Sequence, residues 1–257
     1  MTAEIILDSI NPYTGIRLTT LHLIYPQSIH PEFLTHRVFS RNSSSGRAIS
    51  YSRFEKQQRP TIIWTKERKG MQGERLNPID IDDYVIIKQA DVTVDNMHNM
   101  VLHYCNQLKE LGIHHQDIND FLKPFRFIHT IVTATDWDNF FNQRLDYDNV
   151  KPAMFELALE IKSAMNSSSP IDRYYHTPFV DVNDFEKEDD AFLVSAANCA
   201  RISYQAQGTV ESNIALGRKL IEKQHPSPFE HAAIASEHLQ YYNNLNSWRS
   251  YRNMKGF

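Results

Sequence analysis

Between Leu34 and Ala48 the chain gathers three arginines, Arg37, Arg41 and Arg47, one histidine, His36, and the turn Ser43-Ser44-Ser45-Gly46. A guanidinium is a fixed cation whose planar fork of donors matches phosphate or the edge of a pyrimidine. A Ser/Gly turn can add backbone N–H groups and hydroxyls to the same anion. A solvated basic loop would have the same composition. The apolar approach of Leu18, Leu21, Leu23, Ile24 and Phe33 instead implies a segment that leaves a core element. Downstream, Asn139 and Arg144 stand five apart in the stretch Trp137 to Arg144, and the run His225-Pro226-Ser227-Pro228-Phe229-Glu230-His231 lies near the end of the chain.

The elements that would position these groups follow from periodicity. Glu4 to Asp8 and Arg17 to Tyr25 predict two strands of a hairpin around Asn11-Pro12-Tyr13-Thr14-Gly15. Pro31-Glu32-Phe33-Leu34 predicts a helix start that delivers His36 and Arg37 to the Ser-rich loop. Residues 49–80, with Arg59-Pro60, Lys69-Gly70 and Asn77-Pro78, read as a long excursion from the core. Thr93 to Leu111 predicts a helix buried through Val94, Met97, Val101, Leu102, Cys105 and Leu108 and closed by Gly112. Its His98 and His103 read as surface or packing residues, and His114-His115 as a solvated turn. Phe125 to Thr133 predicts a strand after a short helix. Asp136 could cap a helix through Trp137, Asn139, Phe140 and Arg144, and Pro152 to Met165 carries a helical core stripe. Asn166 to Pro170 and Asp184 to Asp190 read as linkers, followed by helices over Ala191 to Ile202 and Ser212 to Gln224.

Composition sets outer bounds. With 257 residues, 41% hydrophobic and 23% charged, the chain is expected to be one soluble globular domain over residues 1–257. A net charge of −4 supplies no polyanion-binding field, so phosphate recognition should be confined to a pocket and long nucleic acid is not an expected partner. Two cysteines without a C-x-x-C pair argue against a disulfide scaffold or a cysteine metal site and fit a reducing cytoplasm. No run of about 18 apolar residues predicts a membrane span.

His36-Arg37 followed by Ser40, Asn42, Ser45, Gly46 and Arg47 resembles the RHRxxSxNxxSxR signature of flavin-dependent thymidylate synthases, with Thr35 in place of the first arginine. The 225–231 run resembles that family's H-x-S/T-P-F-E-H element, and Asn139 with Arg144 resembles its asparagine and arginine on one helix. The resemblance implies an α+β fold with a central mixed or antiparallel sheet and flanking helices. It also implies reductive methylation of dUMP to dTMP with FAD, and with NADPH and methylenetetrahydrofolate as co-substrates. On this carry-over Arg144 is catalytic, polarising the uracil ring, and Glu32, Ser45, Gly46 and Arg47 bind the nucleotide. His36, Arg37, Asn42, Asn139, Ser227 and Glu230 line the flavin, His225 lies on the folate side, and no metal is implied. Several chains of a homotetramer would build each site. On the residues alone, Ser227 also reads as an N-cap and Glu230 as an acid at a helix end.

The departures define the alternatives. Glu32 replaces a glutamine common in the family, Asp120 replaces an arginine, and Thr133-Ala134-Thr135 replaces Asn-x-Arg. Each lost cation changes phosphate affinity by about 1.5–3 kcal/mol per charged hydrogen bond. Either Arg41, Arg126 and Arg249 compensate or the substrate differs. The order of motifs also differs, because the 225–231 run normally precedes the His-Arg motif. This resembles a circular permutation, of a divergent kind found in phages, that moves the family's N-terminal part to about residues 191–257. Trp248 to Asn253 could be a partial second copy of the basic motif or a chance run. A sister enzyme making another C5-modified pyrimidine nucleotide, such as hydroxymethyl-dUMP, and a non-catalytic nucleotide- or flavin-binding protein remain alternative readings.

Overall fold

The computed structural model describes residues 1–68, 73–204 and 208–257. The Lys69-Gly70 turn expected from the sequence lies outside the described residues. Strands β1 (Thr2–Ile10) and β2 (Arg17–Pro26) form the expected hairpin. The Asn11 side chain accepts from the Tyr13 and Thr14 amides, and Gly15 takes φ +73°, the left-handed conformation that favours glycine. β3 (Ser40–Ser43), β4 (Phe127–Ala134) and β5 (Ile171–Asp172) complete a five-stranded sheet of order β3-β4-β2-β1-β5. All its pairings are antiparallel except β1 with β5, so the sheet is mixed.

Helices cover both faces. On one, Leu21, Leu23, Ile128 and Val132 pack against Met154, Leu157, Ala158 and Ile161, with Phe33, Phe39, Trp137 and Phe140 closing the core. The helices involved are the single turn α1 (His30–Phe33), α4 (Asp138–Arg144) and α5 (Pro152–Ser167). Between α1 and α4 in sequence stand the long α2 (Ile81–Glu110) and α3 (His115–Leu122). Their cluster of Cys105, Ile118 and Leu122 buries Ile49, Tyr51 and Phe54 from the 49–80 excursion. On the other face, Ile131 meets Cys199 and Ile202 at the end of α6 (Glu188–Ala200), which packs with α7 (Val210–Glu222). A smaller sheet of β6 (Tyr175–His176), β7 (Ala233–Ala235) and β8 (Trp248–Ser250) finishes this layer.

Several expectations are corrected. The Ser-rich segment is a strand over Ser40–Ser43 rather than a loop from its start, because pairing with β4 satisfies its amides. Helix α2 begins at Ile81, where Asp80 caps the Asp82 and Asp83 amides, twelve residues before the apolar pattern suggested. Met97 faces solvent. Asp136 does not cap α4; its carboxylate accepts from Thr135 and Tyr241. His114 is the N-cap of α3, accepting from the Gln116 amide, rather than part of a solvated turn. After Ser167 the chain adds β5 to the sheet, and Glu188, Asp189 and Asp190 form the first turn of α6, where acids meet the positive end of the helix dipole. The 191–257 segment is tied to the hairpin: Asn11 Nδ2 donates to the Ser236 and Ser247 carbonyls, and Trp248 Nε1 to that of Ile16.

Candidate functional site

Arg144, the last residue of α4, reaches the connection between α1 and β3. Its Nε donates to His36 Nε2 at 2.9 Å, Nη1 to Glu32 Oε1 at 2.6 Å and Nη2 to Thr35 Oγ1 at 3.2 Å. His36 can accept only if Nε2 carries no proton. Burial, reinforced by the Arg144 and Arg41 cations, lowers its pKa to about 4, so the ring is neutral at pH 7 with its proton on Nδ1. Phe39 stacks on the imidazole and Phe140 meets it edge-on. Arg41 donates to the Leu34 and His36 carbonyls and so fastens the same connection to β3. Three of the five guanidinium donors of Arg144 are engaged, which fixes the fork and leaves two for a ligand. The arrangement is suited to stabilising negative charge on a planar ring, with the Glu32 carboxylate supplying an acceptor beside it.

A second convergence joins distant parts of the chain. Ser227 Oγ donates to the Arg41 carbonyl at 3.1 Å and to Asn42 Oδ1 at 3.4 Å, while Asn42 Nδ2 donates to the Cys199 carbonyl at 2.7 Å. The 225–231 run therefore lies against β3. Ser227 is not an N-cap; the 3-10 turn Ser227–Glu230 follows Pro226 and has no side-chain cap. Glu230 pairs with Arg252 and, with Ser40, lines a cavity of about 190 Å³. His225 is exposed.

The remaining expected residues are more dispersed. Asn139 is exposed at the start of α4 and accepts from Gln143. With Thr135, Trp137, Arg17 and Lys162 it lines a cavity of about 610 Å³, one and a half helical turns from Arg144. In the Ser-rich turn most amides are already committed: Ser44 to the His129 carbonyl, Ser45 to Ser203 Oγ, and Arg47 to Ser45 Oγ. Asn119 Nδ2 donates to the Gly46 carbonyl and His115 to that of Arg47. The turn is thus held from inside, and an anion would meet the exposed side chains of Ser45 and Arg47. The guanidinium groups of Arg37 and Arg47 have no partner among the described residues.

The substituted positions do not share one fate. Asp120 pairs with Lys123 on the surface. Thr135 Oγ1 bonds Asp136 and accepts from the Asn246 amide. Of the cations considered as replacements, Arg126 is wholly buried beside His98 and the Gln57 carbonyl, Arg41 is spent on backbone carbonyls, and Arg249 is exposed over Tyr242. Thr133 belongs to a buried polar chain that sequence reasoning missed. Ser9 Oγ, His176, Thr20 Oγ1, Thr133 Oγ1 and His231 Nδ1 are linked in that order at 2.6 to 2.8 Å. Burial lowers the pKa of both His176 and His231 to about 3, so both rings are neutral. His231 stood in the quoted motif, but nothing in its spacing pointed to β4 as its partner. No protein-family model matches the chain, and no curated protein matches it.

Proposed function

We propose that the chain is a flavin-dependent thymidylate synthase-like enzyme that methylates dUMP reductively, using methylenetetrahydrofolate, FAD and NADPH. The observation that carries this reading is the Arg144 guanidinium held by His36 Nε2, Glu32 and Thr35. It unites two of the three motif elements, and the Ser227 contact to Asn42 brings the third alongside.

The residues fit an anionic planar cofactor in part. Arg37, Arg47 and the Asn139 amide are exposed and available, whereas Thr135 and Asp120, where the resemblance would put arginines, contribute no cation. FAD, when bound, would supply the hydride that reduces the transferred carbon. The chain's own work is positioning. Arg144 would stabilise negative charge at N3 and O4 of the pyrimidine, making C5 nucleophilic, and His36 would hold the fork in place. Ser45, Gly46 and Arg47 would grip the nucleotide phosphate. Arg37, Asn42, Asn139, Ser227 and Glu230 would hold the flavin, with His225 toward the folate. The exposure of Arg37, Arg47 and His225 in one chain supports sites shared among the copies of a homotetramer.

The Glu32–Arg144 pair favours a second reading, an enzyme of the same class whose product is another C5-modified pyrimidine nucleotide such as a hydroxymethyl derivative. A carboxylate beside the guanidinium accepts from ring N–H groups and repels carbonyls, so it reads the pyrimidine edge differently from an amide. One experiment tests both. Purified protein is reconstituted with FAD and incubated with dUMP, NADPH and isotope-labelled methylenetetrahydrofolate, and the nucleotide is weighed by mass spectrometry. A labelled methyl supports the first reading and a labelled hydroxymethyl the second. Protein that retains no flavin and leaves the nucleotide mass unchanged overturns both.

A further inference from the structure

Helix α2 carries two apolar stripes. One, containing Val101, Leu102, Cys105 and Leu108, packs toward Tyr51, Ile118 and Leu122. The other faces water: Ile86, Met97, Met100, Tyr104 and Leu111 are 45, 49, 61, 57 and 77% exposed. With Ala90, Thr93 and Gln107 they occupy positions alternating four and three residues apart, the seam spacing of paired helices. A helix with one face on the core normally turns charge to solvent. Here Asn96 to Leu108 contains no Asp, Glu, Lys or Arg. Depletion of charge together with Met and Tyr is the composition of an interface core.

We propose that this seam is a self-association surface, on which α2 of a second copy packs antiparallel. The spacing is symmetric about the point between His98 and Asn99. An antiparallel copy therefore sets Met97 against Met100, Tyr104 against Thr93, Gln107 against Ala90 and Leu111 against Ile86, large opposite small at the Tyr104–Thr93 and Gln107–Ala90 layers. Every pair occurs twice, as a twofold contact requires. A parallel copy would stack Thr93 on Thr93 and Gln107 on Gln107, putting like polar groups in the seam.

The stripe is about 38 Å long at 1.5 Å per residue, and a strip about 10 Å wide covers roughly 400 Å² per copy. That is about half of the roughly 800 Å² each partner gives to a standard interface. Exposed Ile62 and Ile63, which line a groove of about 570 Å³ with Met97, extend the apolar surface. The contact is accordingly a concentration-dependent one. It stands independently of the reading of the Arg144 site.

The test is sedimentation velocity on the full chain from about 1 to about 100 μM, a range that brackets a micromolar dissociation constant. The mass should rise to a dimer or an even multiple. Met100→Lys should weaken association at least about 30-fold, the size of a hot-spot loss, with an unchanged circular dichroism spectrum because Met100 is exposed in the single chain. Register is read by oxidising Ile86→Cys and Leu111→Cys chains separately and mixed; the native Cys105 and Cys199 are buried. Antiparallel pairing cross-links the mixture and neither variant alone. A monomer throughout, an assembly indifferent to Met100→Lys, or cross-linking of each variant by itself would overturn the proposal, the first leaving the face to a different partner.

Discussion

Replacing Arg144 by lysine separates its charge from its geometry. The ammonium can still meet Glu32, but it cannot also reach His36 Nε2 and Thr35 Oγ1, the acceptors now held at 2.9 and 3.2 Å. A hydrogen bond to a charged group contributes about 1.5–3 kcal/mol, and water can replace the Thr35 bond at the surface. The buried His36 acceptor is not so easily resolvated, which puts the stability loss at about 2 kcal/mol. For a chain of this size that corresponds to a melting temperature lower by about 4–8 °C. The effect on turnover should be larger and of different origin. Removing one preorganised donor from a developing anion typically costs about 100- to 1,000-fold in kcat. The assay pairs thermal melting with dUMP-dependent oxidation of NADPH, at temperatures well below the melting point of either protein. Flavin affinity should change little, because the proposed work of Arg144 is on the nucleotide ring. Since the His36 pKa lies at about 4, the residual activity should show no titration from this ring between pH 6 and 8. Activity within about tenfold of the unaltered protein would refute the catalytic role, whatever the melting temperature does.

Other consequences are measurable separately. His176 and His231 are fully buried with pKa values lowered to about 3, so between about pH 6.5 and 3 the unfolded chain binds protons that the native one refuses. Stability should therefore fall with pH, by about 3 kcal/mol at pH 5.5 from this pair, in urea titrations; a flat profile would contradict their burial as neutral rings. Gly217→Ala should cost about 1–3 kcal/mol in thermal melts, since its Cβ would lie 2.9 Å from both Leu193 Cβ and the Leu193 carbonyl oxygen, forcing α7 off α6. An unchanged melt would mean the two helices are not packed as described. Ser227→Ala and Asn42→Ala should couple by about 0.5–1 kcal/mol in a double-mutant cycle; strict additivity would separate the 225–231 run from β3.

The hairpin, the helix over residues 152–167 and the strand before Thr133 were legible because each alternates or repeats its apolar residues against one core. β3 was not, since Ser-Arg-Asn-Ser has no apolar alternation and becomes a strand only through its pairing with β4. The first turns of α2 were missed for the opposite reason: Ile81, Val85 and Ile86 face water, so burial does not mark them. The same division runs through the site. Motif spacing marks Arg144 and His36 as separate groups, and the fold makes His36 an acceptor for Arg144. Position 133 shows what spacing could not convey. Its side chain points into the layer closed by residues 225–251, where the hydroxyl lies 2.6 Å from Thr20 Oγ1 and 2.8 Å from His231 Nδ1, with no exposure to solvent. Threonine at 133 and neutral histidine at 231 are thus two halves of one contact, and that contact seals the C-terminal segment against the sheet that carries the candidate site.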